Sequence, residues 1–584
     1  MRISTAAMRA ERMTKPVNHA ETPHSRSEAG RAPLLYLIVP AVAAAALAKS
    51  YPADRPLVFA LAAVSVAGLA VILDALGRRK PRRASWSLHL WHILFPVGAF
   101  LLCYAYASMR MPAPHAELAA LPPRWADVTL KVQSVYPENA YGNVRGIARV
   151  EKAPAIQNHL VGERLFFSVK GPLDIPPGSE VEVKGIVKRL PESENTDSFH
   201  AWLERSGVYF ELRRGKALGP VAPPGKIAAF ATSARDWMRE KLLEGSDKMP
   251  EIRALVPAMM LGDKALMSPE DKTVFRETGM MHLFAVSGLH VGLVALVVEG
   301  LLALGRLGRT KRIPAAQVIL LLYVVAIGAP PSAVRAFLMI LFMRAAALVG
   351  RPAKGLPSLA ASALAVLVWQ PMQLFDIGAQ LSYAIVAAIL LYGLPLAELL
   401  KEKLPLYPDF PPQSLSARQR LTINTRDSLA TSLGMSLAAF AVSVPLSVAY
   451  FGYLAPGSVL LNILMIPIAL LAASAAVVSS TAALVAAVPV LGFFAFVKHF
   501  VNHAAWLAAW EMEGIAAAAH KIPFFHFEAS FAAGWQGPAM TALVLFIMVV
   551  LASDKLHRRL LWMLAPPAVV AIAVALSGVI GRFA

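Results

Sequence analysis

The sequence predicts a polytopic α-helical membrane protein of about 11 to 13 spans, into which a β-rich domain is inserted. Of its 584 residues, 57% are hydrophobic and only 16% are charged, whereas soluble domains carry about 25% charged residues. Apolar runs of the roughly 20 residues that cross a bilayer recur along the chain, and one long polar stretch interrupts them. This composition excludes a disordered chain and argues against a soluble multi-domain enzyme.

The net charge is +19, and the chain has a single cysteine, Cys103. In a membrane protein the excess of Lys and Arg is expected in cytoplasmic loops, so the charge is only weak evidence for a nucleic-acid partner. One cysteine allows neither an intrachain disulfide nor a thiolate metal site.

The N-terminal part is predicted to be a cytoplasmic basic tail, 1–32, followed by three membrane spans within 33–109. The tail has no apolar core or cleavage site typical of a signal peptide. Basic residues in the tail and between the second and third spans favour the cytoplasmic side for both. The chain therefore emerges on the outer side near residue 110.

Residues 110–225 are predicted to form an extracytoplasmic β-rich domain. Val128, Leu130 and Val132 alternate with polar neighbours, and four further runs show the same period of two, which is typical of strands. About five short strands favour a small barrel or sandwich, with an OB-like barrel preferred.

Residues 226–281 are predicted to be an amphipathic helical connector. Its first helix, near 226–245, could lie on the membrane surface or pack against the β-domain. Ser268, followed by Pro269 and two acidic residues, predicts the start of a short helix that Gly279 ends.

The rest of the chain is predicted to be a membrane channel domain, 282–475, and C-terminal membrane helices, 476–584. Counting from an outer domain, the basic loops fall on the cytoplasmic side, as the positive-inside rule requires. The apolar run 459–490 is long enough for a hairpin of two spans.

Polar and ionisable residues inside spans are costly and mark candidate functional sites. Arg335 follows a Pro-Pro break and precedes Arg344 in one span, which favours an aqueous anion path, although an arginine near the interface can simply snorkel. Ser287 and His290 are three residues apart and would share a helix face, with Gly288 allowing close packing. The same spacing also fits an ordinary helix-packing stripe. The pore candidates are His282, Ser287, Gly288, His290, Arg335, Arg344, Asp376, Gln380 and Asn462.

Several of these residues stand in an ordered series of motifs that resembles the ComEC family of DNA-uptake channels. The resemblance covers about 255–475 and lies in Leu261-Gly262-Asp263-Lys264, Phe275-Arg276-Glu277-Thr278-Gly279, His282-Leu283-Phe284-Ala285-Val286-Ser287-Gly288-Leu289-His290, Val334-Arg335-Ala336 and Asp376-Ile377-Gly378-Ala379-Gln380. It implies a channel in the bacterial cytoplasmic (inner) membrane that carries single-stranded DNA inward during natural transformation.

The resemblance also implies partners: single-stranded DNA, the lipid bilayer, a DNA-receptor protein outside and a cytoplasmic DNA motor. The sequence has no P-loop that would bind a nucleotide, so the energy must come from a partner or a gradient. Some members carry a metallo-β-lactamase-like domain, but its His-x-His-x-Asp-His string is absent here. We therefore predict no enzymatic activity, no cofactor and no metal.

A path for single-stranded DNA needs cations for phosphates and aromatic faces for bases. Most of the aromatic residues of the β-domain could equally be core, and its basic residues could be merely solvated. The DNA-contact candidates there are Trp125, Tyr141, Arg145, Arg149, Lys184, Lys188, Trp202 and Arg213. Two rival functions stay open: a transporter of another anionic envelope or polysaccharide component, and an intramembrane serine hydrolase that uses Ser287 and His290.

Overall fold

The computed structural model describes thirteen stretches of the chain. They are 35–79, 84–111, 122–136, 141–170, 175–190, 199–246, 249, 252–411, 413–486, 492–523, 525–531, 533–552 and 565–576. The predicted basic tail, 1–32, lies outside them.

Three helices begin the described chain: α1 Leu35–Ser50, α2 Pro56–Arg79 and α3 Ala84–Arg110. They pack on one another, and α1 and α3 also contact the helices that follow the β-domain. Tyr106 donates a hydrogen bond to the carbonyl of Val368, and Arg110 donates one to that of Trp369, 3.1 Å away. The N-terminal helices are thus joined to the larger membrane part.

The β-domain is a closed five-stranded barrel with the strand order β1-β2-β3-β5-β4. All its neighbouring strands pair antiparallel except β3 and β5, which are parallel. This arrangement confirms the predicted OB-like fold. The strands are β1 Arg124–Tyr136, β2 Asn143–Lys152, β3 Arg164–Lys170, β4 Glu180–Arg189 and β5 Phe210–Ala217, with a helix α4, Phe199–Arg205, between β4 and β5.

The alternating residues fill the barrel, as predicted. Val128, Leu130 and Val132 of β1 are buried, together with Phe167 of β3 and Leu212 of β5. Because side chains of a strand point alternately to its two faces, the same strands present their polar residues to the outside.

Three short helices lead from the barrel into the membrane part: α5 Lys226–Leu243, α6 Leu255–Leu261 and α7 Pro269–Glu277. α7 begins as predicted, since the Ser268 hydroxyl accepts a hydrogen bond from the Asp271 backbone N–H, and Gly279 follows with φ +77°. α5 packs beside the barrel, since a Cβ at Gly178 would meet that of Ala228, while its predicted place on the membrane surface stays a prediction. Its neighbours include α6 and two helices of the membrane part, and the carbonyls of Lys241 and Leu242 also accept hydrogen bonds from Asn502 and Trp506 of a third.

The membrane part contains the remaining helices. They are α8 Gly288–Leu304, α9 Arg309–Ala326, α10 Pro331–Leu348, α11 Gly355–Trp369, α12 Ile377–Ala388, a π-helical turn Ile389–Gly393, α13 Leu394–Lys403, α14 Ala417–Phe451, α15 Ser458–Ala486, α16 Phe493–His520, α17 Gln536–Leu551 and α18 Ala565–Leu576. Two short strands, β6 Tyr453–Leu454 and β7 Phe527–Glu528, pair with each other.

Six helical segments of the described residues are long and apolar enough to cross a membrane, and four apolar helices are shorter. The predicted total of about 11 to 13 spans is larger, and local breaks explain part of the difference. The predicted span 282–304 becomes helical only at Gly288, and 459–490 is one helix, α15, rather than a hairpin. These findings still make the chain a multi-pass membrane protein.

Two hydrophobic clusters divide the membrane part into two groups of helices. The first group is built from α6 to α10 with α15 and α16, and the second from α11 to α14 with α17 and α18. Within the second group, Gly393 and Gly434 bring two backbones together, since a Cβ at Gly434 would meet the Gly393 carbonyl. The close packing predicted at Gly288 is weaker, since a Cβ there would lie 3.6 Å from that of Ala336, and a Cβ at Gly292 would meet none of the described atoms within 4 Å.

Candidate functional site

The chain between α7 and α8 is irregular. Gly279 ends α7, a 3-10 turn spans Met281–Phe284, and Ser287 in extended conformation caps α8. His282 lies in the turn and bonds through Nδ1 to the Gly279 carbonyl at 2.9 Å. The prediction that Ser287 and His290 share a face of one regular helix is therefore wrong, because only His290 lies inside α8.

Ser287 and His290 nevertheless meet, through a capping arrangement. His290 Nδ1 lies 3.0 Å from the Ser287 hydroxyl and accepts a hydrogen bond from the Ser287 backbone N–H at 3.2 Å. The side chain therefore satisfies a backbone donor that the start of a helix leaves unpaired. His290 is buried, and its Nε2 has no hydrogen-bond partner in the described part of the chain.

The starts of α8 and α10 lie side by side. Ser332, in the first turn of α10, donates a hydrogen bond of 2.6 Å to the Val286 carbonyl, just before α8 begins. A Cβ at Gly288 would lie 3.6 Å from that of Ala336. Two irregular segments, 279–287 and 328–330, thus meet inside the membrane part, where unpaired backbone groups are tolerated only inside protein or along a cavity.

Arg335 of α10 joins the two groups of helices. It is 4% exposed, and its Nη1 lies 3.9 Å from Oδ1 of Asp376, which is 31% exposed and stands before α12. Asp376 also caps α12 by accepting a hydrogen bond of 2.8 Å from the Ala379 N–H. Arg335 Nε and Nη1 are buried without a hydrogen-bond partner among the described residues, so the guanidinium keeps donors to spare.

Arg344, two and a half turns further along α10, has a different partner. Its Nε lies 2.8 Å from a carboxylate oxygen of Glu299 on α8, inside the first group of helices. The sequence did not predict this pair, because nothing in the linear pattern relates the end of one helix to the end of another.

Gln380 lines a cavity of about 910 Å³ beside the second group of helices. Its amide donates to the Leu374 carbonyl at 3.0 Å and accepts from the Tyr450 hydroxyl at 3.4 Å. The walls come from α1, α11, α12, α14 and α17, and they are mainly apolar. Arg335, Arg344 and Asp376 do not line this cavity.

The barrel contributes to the same cavity. Glu204 of α4 and Tyr209, the residue before β5, are among its lining residues, and Lys49 of α1 is another. The β-domain therefore abuts an opening in the membrane part. Asn462 lies elsewhere, on α15, with its buried Oδ1 lacking a hydrogen-bond partner among the described residues.

The basic candidates of the barrel are partly neutralised by acids. Buried Glu211 forms ion pairs with Lys188 and Arg213, each 2.9 Å from one of its carboxylate oxygens, and Lys184 lies 3.4 Å from Asp127. Arg149 donates to the Gly162 carbonyl at 3.0 Å, and Arg145 lies on the same strand, β2. These contacts lower the positive potential predicted from the sequence, while Arg149, Lys184 and Arg213 remain exposed.

Aromatic rings gather at one end of the barrel. Trp202 stacks on Phe199 with ring centroids 5.6 Å apart, and Tyr136 and Phe166 complete the cluster. Burial of the phenol raises the pKa of Tyr136, which keeps it a neutral hydrogen-bonding ring. Two further candidates are more exposed: Tyr141 between β1 and β2, at 85%, and Trp125 at the start of β1.

The chain is similar to one described protein family and to several known proteins. The family model described as "Competence protein" matches residues 259–554. "ComE operon protein 3" of Bacillus subtilis (strain 168) is 34% identical over 146 residues, which are 24% of this chain and 18% of that protein. "Recombination protein 2" of Haemophilus influenzae (strain ATCC 51907 / DSM 11121 / KW20 / Rd) is 26% identical over 170 residues, 28% of this chain and 19% of that protein.

A third relative, "Uncharacterized protein YcaI" of Escherichia coli (strain K12), is 27% identical over 146 residues, 24% of this chain and 19% of its own length. The matched segment thus covers about a fifth of the length of each of these relatives. No solved structure matches the chain.

Proposed function

Because this chain belongs to the competence-protein family, we propose that it is a channel that carries single-stranded DNA into the bacterial cytoplasm during natural transformation. One observation carries the proposal beyond family membership: a closed OB-like barrel stands beside an opening in a helical membrane part. Barrels of this type bind nucleic acid strands in many proteins. The membrane is the cytoplasmic (inner) one, with the N-terminus inside and the barrel outside.

The barrel is the proposed receiving surface. OB-like barrels bind oligonucleotides with the face of strands 2 and 3 and the loops that join β1 to β2 and β4 to β5. Tyr141 lies in the first of these loops, and the ring pair of Phe199 and Trp202 in the second. Stacking of a base on such a ring contributes about 1–3 kcal/mol without sequence preference.

The proposed passage leads from the cavity that Phe375 and Gln380 line to the seam between the two groups of helices, where Arg335 faces Asp376. At 3.9 Å this pair is longer than a charge-assisted hydrogen bond of about 2.7–2.9 Å. A phosphate of the strand can therefore take up the spare donors of Arg335 without breaking a tight bidentate pair. An exterior DNA-receptor protein would deliver the strand, and a cytoplasmic DNA motor or a gradient would supply the energy.

The test is transformation frequency in a deletion strain that expresses the chain or its variants at equal membrane abundance. Wild type should restore transformation, and Arg335→Ala should reduce the arrival of labelled DNA in the cytoplasm at least tenfold. Arg418→Ala is the matched control, since this exposed arginine stands at the start of α14 in a predicted cytoplasmic loop. If the deletion strain transforms as well without the chain, the channel proposal fails, and a transporter of another anionic envelope component takes its place.

The contact between Ser287 and His290 raises a second candidate function, that of an intramembrane serine hydrolase. The Ser287 hydroxyl lies 3.0 Å from His290 Nδ1, which is the distance between a nucleophile and its base. We propose that this pair caps α8 rather than cleaves a bond, since no acid orients His290 among the described residues. Labelling of Ser287 by a serine-reactive probe, lost in Ser287→Ala, would favour the hydrolase.

A further inference from the structure

Three potential metal ligands meet at a point that the transport proposal does not use. Glu277 is the last residue of α7, His520 is the last residue of α16, and His526 precedes β7. We propose that these three side chains bind one divalent transition-metal ion, with Zn²⁺ the best fit. This proposal is independent of what the chain transports.

The two distances that join Glu277 to the histidines are those of a tetrahedral site. Oε2 of Glu277 lies 3.4 Å from Nδ1 of His520 and 3.4 Å from Nε2 of His526. When zinc binds nitrogen and oxygen at about 2.0–2.1 Å, two neighbouring ligand atoms of a tetrahedron lie about 3.3–3.4 Å apart. The three ligand atoms all fall within 4.8 Å of one another, so a small movement of one ring closes the set.

The cluster brings ring nitrogens of two histidines and a carboxylate oxygen to one point. The two imidazole rings are stacked, with centroids 5.4 Å apart and planes 10° from parallel. His520 Nδ1 is buried and makes no hydrogen bond within the described stretches, although it faces the carboxylate. Oε2 of Glu277 faces both rings, and within the described part of the chain the basic side chain paired with this carboxylate is Arg276, 3.8 Å from its Oε1. A metal ion accepts the lone pairs of both rings and balances the carboxylate.

The ligand set favours zinc and an open site. Imidazole suits Zn²⁺, whereas Mg²⁺ and Ca²⁺ prefer oxygen ligands. Two histidines and one glutamate are three protein ligands, which leave a fourth position for water or another group. The three side chains are a quarter to a third exposed, so solvent reaches that position.

A bound ion would fix the irregular segment that leads into α8. Glu277 is two residues before Gly279, whose carbonyl accepts from His282, and a Cβ at Gly279 would lie 3.0 Å from that of Ser458. His520 is the last residue of α16, and His526 stands directly before β7, the strand that pairs with β6. The ion would therefore tie the end of α7 to the segment that joins α16 to β7, just before the irregular residues that lead into α8.

Zinc content and affinity test the proposal on the full chain, purified in detergent with a tag that contains no histidine. The protein is stripped with EDTA, dialysed, incubated with ZnCl₂ and assayed by metal mass spectrometry and by competition with a chromophoric chelator. Wild type should hold about one zinc ion per chain. His520→Ala, His526→Ala and Glu277→Gln should each bind zinc at least about 100-fold more weakly, since the loss of a direct ligand exceeds the 10–100-fold effect of an outer partner.

Two matched controls separate the site from general effects. Glu528→Gln removes an exposed carboxylate two residues from His526, and His159→Ala removes a histidine of the barrel. Both should bind zinc as wild type does. The unfolding temperature should rise with ZnCl₂ in wild type and controls but not in the ligand variants, and all should unfold alike in EDTA. An EDTA-stripped wild type that takes up no zinc, or ligand variants that bind it as tightly as wild type, would overturn the proposal.

Discussion

The barrel and the membrane part handle charged side chains in opposite ways. In the barrel, cations such as Lys184 are about half exposed and meet acids at the surface. In the membrane part, Arg335 is almost fully buried, and its carboxylate partner, Asp376, belongs to the other group of helices. Removing the partner of a charge at the surface of the barrel costs little free energy of unfolding, because water replaces the partner. A buried arginine that loses its partner has no such replacement.

The two regions also differ in how they pack. The barrel fills its centre with Val, Leu and Phe from alternate positions of each strand. The membrane part uses many buried alanines and close backbone contacts such as that between Gly393 and Gly434. Lipid is as apolar as a leucine side chain, so helices there associate through close contact of small residues rather than through escape from water.

The largest loss of stability is expected when the buried Arg335 loses its charged partner, which tests how the two regions differ in their charged side chains. Asp376→Asn should destabilise the protein by about 3–5 kcal/mol, because it leaves the Arg335 cation buried and uncompensated. Asn keeps an oxygen that can cap α12, so the change isolates the charge. The measurement is the unfolding temperature in detergent, with membrane abundance as a second readout.

Glu211→Gln is the matched change in the barrel. It removes a buried carboxylate, but its partners Lys188 and Arg213 are partly exposed and return to water. We expect a loss of about 1 kcal/mol or less. Equal losses for Asp376→Asn and Glu211→Gln would show that the two regions do not differ in the way proposed.

The second effect tests the packing comparison. Gly434→Ala should destabilise by about 1–3 kcal/mol, because the added methyl group would meet the Gly393 carbonyl and Ala397. Gly292→Ala, also in a membrane helix but with open space around it, should leave stability unchanged or raise it by up to about 1 kcal/mol. Thermal unfolding of the two variants beside wild type measures the difference. If Gly292→Ala is as harmful as Gly434→Ala, close contact is not the cause.

The smallest effect lies at the junction of the two regions. Glu244, after α5, accepts a hydrogen bond of 2.5 Å from Lys498 of α16 and a weaker one from Lys241, and the Lys498 contact lowers the pKa of Glu244. A lowered pKa in the folded state stabilises the protein above the ordinary carboxyl pKa of about 4.3, and this contribution is lost as the pH falls through the lowered value.

The measurement is the difference in unfolding temperature between wild type and Glu244→Gln as a function of pH. At pH 7 the unfolding temperature of wild type should be slightly higher than that of Glu244→Gln. This difference should become smaller once the pH falls below the ordinary carboxyl pKa. The Glu244 side chain is 46% exposed, so the whole effect should stay within about 1 kcal/mol. A difference in unfolding temperature that stays constant from pH 7 to pH 3 would contradict the proposed contribution of the Glu244 carboxylate.

Prediction from sequence succeeded where the physical signal is local. The period of two in β1 identified the buried face of the barrel, and Ser268 with Pro269 identified the start of α7. It failed at the start of α8, since an apolar run looks the same whether its first residues are helical or irregular. The pair of Arg344 with Glu299 was missed for a related reason: each residue resembles an ordinary helix-end charge until the other helix is known.

The sequence by itself determined that this is a membrane protein with an inserted β-barrel and that it belongs with competence proteins, because composition, periodicity and motif order are properties of the chain alone. Only the tertiary structure decided which polar residues meet. Arg335 faces Asp376 across two groups of helices, and Glu277 meets two histidines more than two hundred residues further along the chain. Such meetings depend on how helices are arranged in space, and spacing along the chain does not encode them.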